Sequence, residues 1–168
     1  MKKIFTLSLG LAFSLCFSQG KLYIQNYSNY NLGMRIVAGN TGSCLPEAVA
    51  SMDFPAQTQD VIDDFNDAFT YTAGWSVRLS PTGNPSYFTA PNGLLNSISP
   101  ITRWEFAWYQ AQDPITGNTV YDTVNHNMAD NSAFPNCAWN GSTFVDGTVT
   151  DSFWFYIPSD NATYLVIQ

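Results

Sequence analysis

Between Ile101 and Gln112 the chain reads Ile-Thr-Arg-Trp-Glu-Phe-Ala-Trp-Tyr-Gln-Ala-Gln. Trp104, Phe106 and Trp108 fall two residues apart, the repeat of an extended strand, so the spacing predicts all three rings on one face. Arg103, Glu105 and Tyr109 then take the other. At roughly 150–250 Å² per ring, no other stretch gathers so much apolar area. It reads as the central strand of an antiparallel sheet with its aromatic side turned inward.

The rest of the chain supplies partners of the same kind. Leu22 to Gln25 and Leu32 to Val37 read as two strands of a hairpin around the polar turn Tyr27-Ser-Asn-Tyr-Asn31. Trp75, Val77 and Leu79 form a second inward row, with Ser76 and Arg78 facing out. Asp113 to Asn118 is a hairpin turn, whereas Asn125 to Asn136 is long, polar and irregular. Phe153 and Phe155 oppose Trp154 and Tyr156, so that strand is covered on both sides or carries a contact surface. The pattern predicts an all-β fold: an antiparallel β-sandwich of about eight to ten short strands, with a closed antiparallel barrel as the alternative. No amphipathic helix is expected.

The amino terminus reads as an address. Lys2 and Lys3 precede an apolar run from Ile4 to Phe17, followed by Ser18, Gln19 and Gly20. Residues 1–19 are expected to be a signal peptide and residues 20–168 a single domain. The run is shorter than the ~20 residues a spanning helix needs. Cys16 would leave with the leader, and a bacterial exported protein, extracellular or periplasmic, is the expectation. Cys44 and Cys137 then remain, and in an oxidising compartment they are expected to pair across roughly ninety residues.

Removing Lys2 and Lys3 leaves four cations, Lys21, Arg35, Arg78 and Arg103, against thirteen carboxylates, a net charge of 4 − 13 = −9. Such a surface repels nucleic acid, and stable membrane insertion is not expected.

Candidate chemistry is sparse. His126 is the chain's sole histidine; a Ser-His-Asp arrangement would have to use it, with Asp122, but no nucleophile-elbow sequence accompanies it, and a solvated or turn-capping side chain is expected. Glu47 and Glu105 are the only glutamates available for a carboxylate-based hydrolase. Glu105 is expected in a surface ion pair with Arg103. Asp60, Asp63, Asp64 and Asp67 cluster around Asn66 and could supply calcium with oxygen ligands, the one cofactor the sequence suggests. Asp122-Thr123-Val124 looks like the Asp-Ser/Thr-aliphatic site that some bacterial glycosylation systems modify. Five Trp, nine Tyr and twelve Phe exceed what a core needs. Tyr27, Tyr30, Tyr87, Phe134 and Trp139 lie in or beside loops, among amides that can bond sugar hydroxyls while the rings stack on C–H faces. The layout is broadly similar to secreted β-sandwich modules, lectin-like and pore-forming-toxin-like ones among them. These observations predict a small non-catalytic binding module for a glycan or a surface protein. The rivals are a membrane-active module and a carboxylate hydrolase.

Overall fold

The alternation that dominates the sequence does produce strands, and they stack as two layers. The computed structural model describes residues 19–168; the expected leader, with Cys16, lies outside the described residues apart from Gln19. In chain order the strands are β1 (Lys21–Asn26), β2 (Asn31–Gly39), β3 (Glu47–Phe54), β4 (Thr58–Ile62), β5 (Gly74–Arg78), β6 (Ser86–Thr89), β7 (Arg103–Gln112), β8 (Thr119–Val120), β9 (His126–Ala129), β10 (Phe144–Val145), β11 (Ser152–Ile157) and β12 (Ala162–Ile167). One sheet runs β10-β11-β12-β1-β4. The other runs β6-β5-β3-β2-β7-β8, with β9 also paired to β7. The fold is therefore a β-sandwich and not a closed barrel. Its strands outnumber the eight to ten expected because β8 and β10 are only two residues long and β9 forms inside the segment expected to be irregular. All named pairings are antiparallel except β1 with β12, which run parallel.

Leu22, Ile24 and Trp154 from the first sheet meet Ile36, Trp75 and Trp104 from the second in one continuous core. Trp75 donates its indole N–H to the Phe65 carbonyl at 2.8 Å, and Trp104 donates its own to the Gly20 carbonyl at 2.9 Å, so neither polar atom is buried without a partner.

Four sequence expectations about the fold are corrected. First, β1 and β2 do not form a hairpin; they belong to different sheets. The fully buried Asn26 pins the corner between them. Its amide donates to the Tyr30 and Pro55 carbonyls at 2.8 Å each, and its carbonyl accepts from the Ser28 backbone N–H and hydroxyl. Second, Gly93–Ile98 is a short α-helix, α1, where the sequence leads us to expect none. Asn92 caps it through the Leu94 N–H at 2.9 Å, and six residues are too few to show a helical period. Third, Leu79 ends outside the core, 57% exposed.

The largest correction concerns β7. Val37 pairs with Phe106 but Ala38 pairs with Trp104, so Glu105 is left over as the extra residue of a β-bulge. One inserted residue flips every side chain beyond it to the opposite face. Trp104, Ala107 and Tyr109 therefore face the inter-sheet core, while Phe106 and Trp108 emerge on the outer face with Val37 and Ala129. The three rings do not share a face.

Candidate functional site

The outer face of the seven-stranded sheet is where these displaced aromatics collect. Register places Tyr87, Ser76, Val49, Val37, Phe106 and Ala129 in one row across β6, β5, β3, β2, β7 and β9. A second row sets Ser51, Arg35, Trp108 and Asn127 opposite one another across β3, β2, β7 and β9. Both rows follow from strand alternation once the bulge is in place.

The segment after β9 crosses this face. The Cys44–Cys137 disulfide forms, with a sequence separation of 93 residues, and holds the segment down. Such a bond fits a protein of an oxidising compartment. Two residues beyond Cys137, Trp139 lies over Phe106 with ring centroids 5.1 Å apart. Its indole N–H donates to Glu47 Oε2 at 2.9 Å. Arg78 meets the same carboxylate from the next strand, 3.2 Å from Oε1 and 3.3 Å from Oε2. Trp139 is thus fixed in orientation by stacking on one side and a charge-assisted hydrogen bond on the other.

Between Trp139 and β6 runs an open groove of about 650 Å³, its rim formed by Tyr87 and Trp139 and its floor by Arg35, Val49, Ser51 and Ser76. A smaller depression of about 240 Å³ continues past Arg35 and Trp139 to Trp108 and Asn127. The Ser51 and Ser76 hydroxyls form no hydrogen bond among the described residues and are available to a ligand.

Of the five aromatics singled out in the sequence, the structure brings Tyr87 and Trp139 together at this groove. Tyr27 and Tyr30 belong to the corner between the sheets and do not line it; the Tyr27 hydroxyl donates to Gln59. Phe134 is 4% exposed and packs inward, so it presents nothing to a ligand. Arg35, Arg78, Ser51 and Ser76 were missed as site residues. Their outward positions on alternating strands were the available signal.

Glu105 departs furthest from its expected role. It makes no ion pair with Arg103, whose guanidinium instead lies 3.9 Å from the Tyr156 ring centroid. The bulge carries Glu105 beneath the covering segment, 1% exposed, with no hydrogen bond formed by either carboxylate oxygen. A Cβ at Gly39 would meet that carboxylate, so a side chain there would have to displace it. Burial, reinforced by the neighbouring charge of Glu47, pushes the Glu105 carboxyl up to about 7; the Trp139 backbone N–H opposes this without forming a full hydrogen bond. Glu47 and Glu105 are near enough for the charge of one to act on the other, the kind of carboxyl pair a hydrolase would use. Glu105, however, is closed to solvent and does not line the groove.

His126 is likewise neither solvated nor capping a turn; it is 3% exposed on β9 and stacks on Tyr109 with centroids 4.5 Å apart. Its Nε2 lies 3.1 Å from Asp122 Oδ2, and its Nδ1 lies 2.9 Å from both Ser152 Oγ and the Tyr109 hydroxyl. Burial would raise the Asp122 carboxyl, but hydrogen bonds from the Thr148, Val149 and Thr150 backbone N–H groups and from His126 outweigh it and hold the acid far below the usual carboxylate range. The ionised Asp122 favours the Nε2–H tautomer. Serine, histidine and aspartate are therefore within hydrogen-bonding distance in that order, with the Tyr109 hydroxyl as the alternative donor to Nδ1. Yet Ser152 is fully buried, donates to Met128 Sδ at 3.0 Å, and is absent from the 80 Å³ depression above His126. No substrate reaches that hydroxyl, so the cluster acts as a satisfied polar network. Asp122 of the Asp122-Thr123-Val124 motif is spent in it, while Thr123 itself is exposed.

The four clustered aspartates do not converge. Asp60 accepts from the Tyr71 hydroxyl and Asp63 pairs with Lys21 at 3.1 Å. Asp64 takes the Asn66 and Asp67 N–H groups, while Asp67 takes the Asp63 N–H. Among the described residues no group of three or more His, Cys, Asp or Glu is placed to hold a metal ion, and no helix is long and apolar enough to cross a membrane. The chain matches no protein-family model, no curated protein and no solved structure.

Proposed function

We propose that this chain is a small exported, non-catalytic binding module whose ligand is a glycan held in the groove on the outer face of the seven-stranded sheet. One observation carries the reading: Trp139 and Tyr87, far apart in sequence, flank the same groove of about 650 Å³. Its volume lies in the range of ~300–1,000 Å³ that small-ligand sites occupy. Rings at the rim, hydroxyls on the floor and the Arg78–Glu47 pair in the lining suit a sugar, which offers apolar C–H faces and outward hydroxyls. The immobilisation of Trp139 by Phe106 and Glu47 lowers the ordering cost of stacking. The binding role, rather than hydrolysis, is favoured because Glu47 is engaged by two donors and Glu105 is sealed.

A glycan array probed with the oxidised domain tests this. Specific binding is expected, weakened about 30-fold or more in Trp139→Ala, the ~2 kcal/mol of a buried aromatic anchor. Tyr87→Ala, at a position 60% exposed, gives the same direction without disturbing the core. Tyr27→Ala, away from the groove, should bind as wild type. A blank array, or binding indifferent to both groove variants, would refute the glycan reading and leave a protein partner as the ligand class.

A further inference from the structure

Resting on that groove reading, we infer that the ligand is an acidic saccharide, with the carboxylate of a uronate-type sugar held by Arg35. Four cations lie in the described residues, and three have partners: Lys21 has Asp63, Arg78 has Glu47, and Arg103 lies over Tyr156. Arg35 has no hydrogen bond, ion pair or ring contact among the described residues. It stands on β2, in the middle of the sheet, directly opposite Ser51 on one side and Trp108 on the other. The groove and the depression beside it share two residues, Arg35 and Trp139. A ligand running through both would therefore pass over the guanidinium.

The charge balance at this place is opposite to that of the chain. Arg35, Glu47 and Arg78 are the charged groove residues, giving 2 − 1 = +1 locally, against a net −9 once Lys2 and Lys3 are set aside. Arg35 stays unpaired although Asp53, two residues along β3 from Ser51, stands diagonally across from it and Glu47 lines the same groove. A planar guanidinium offers two parallel N–H donors, the geometry that holds a carboxylate in bidentate fashion. Trp108 and Trp139 line the same depression as Arg35, within reach of a sugar whose carboxylate meets the guanidinium.

The test is calorimetric titration of the oxidised domain with trigalacturonate, its methyl ester and a sulfated oligosaccharide of similar length. Trigalacturonate is expected to bind at least ten-fold more tightly than its ester. Arg35→Gln should bring acid and ester to the same affinity, whereas Arg103→Gln, outside the groove, should preserve the preference. Equal affinity of acid and ester in the wild type, or a preference that survives Arg35→Gln, overturns the inference while leaving glycan binding intact. Tighter binding of the sulfated probe assigns the oxyanion to sulfate and overturns the carboxylate. Binding of none of the three, together with a blank glycan array, overturns both this inference and the function it rests on.

Discussion

Replacing Cys44 and Cys137 together with serine is expected to lower the thermal midpoint by about 10 °C. The bond joins residues 93 apart. Closing a loop of that size removes entropy from the unfolded chain worth ~4 kcal/mol, and a domain of this length shifts by roughly 2–4 °C per kcal/mol. The second consequence is local. Cys137 anchors the segment that lays Trp139 over Phe106 of β7 and against Glu47 of β3. The double variant should therefore show faster amide exchange across residues 137–142 than across β2 and β7, whose pairing is independent of the bond. Scanning calorimetry and hydrogen exchange on the oxidised protein and the variant measure both effects. A midpoint within 3 °C of wild type, with unchanged exchange over the segment, would show that the disulfide neither stabilises the fold nor builds the groove.

The two sheets were legible because strand alternation is a local signal: Leu22/Ile24, Trp75/Val77 and Phe153/Phe155 each report their own strand. What joins strands is less local. Nothing in Leu22–Gln25 distinguishes a hairpin partner from the first strand of another sheet. The buried Asn26 that turns the corner looks in sequence like one more polar turn residue. The bulge is the sharpest case. A period-two argument from Trp104 to Trp108 assumes that every residue takes one place in the ladder, and Glu105 does not. A glutamate between two large rings was a hint, since that position would have to be either well exposed or specially housed. Trp139 was recognisable because a tryptophan in a polar loop has few other uses. Arg35 was not, because an outward arginine on a strand resembles any surface charge until the partners of the other cations are known. His126 failed for a similar reason: its neighbours Asn125 and Asn127 are polar, but its own side chain turns inward against Tyr109.

The bulge also makes a prediction about acidity. Stability should fall as the pH rises from 5 to 8.5, and Glu105→Gln should remove that fall. In the folded protein burial raises this carboxyl from an ordinary value of 4.5 to about 7. Between those values the native state holds a proton that the unfolded chain has released, so folding is favoured by acid. The contribution is fully present below about 4.5 and is lost as the pH passes through 7. At 1.4 kcal/mol per pH unit the separation corresponds to ~3 kcal/mol, the most that deprotonation beside Glu47 can cost. Carboxyls held low, as Asp122 is, act in the opposite sense and only in stronger acid, so they do not mask the effect. Urea unfolding at pH 5, 6.5, 7.5 and 8.5 supplies the comparison. The difference between wild type and Glu105→Gln should swing by ~3 kcal/mol in favour of the variant across that range, because a glutamine cannot acquire the buried charge. Parallel pH profiles for the two proteins would mean that Glu105 is solvated or paired in solution, and that the bulge does not bury a carboxyl.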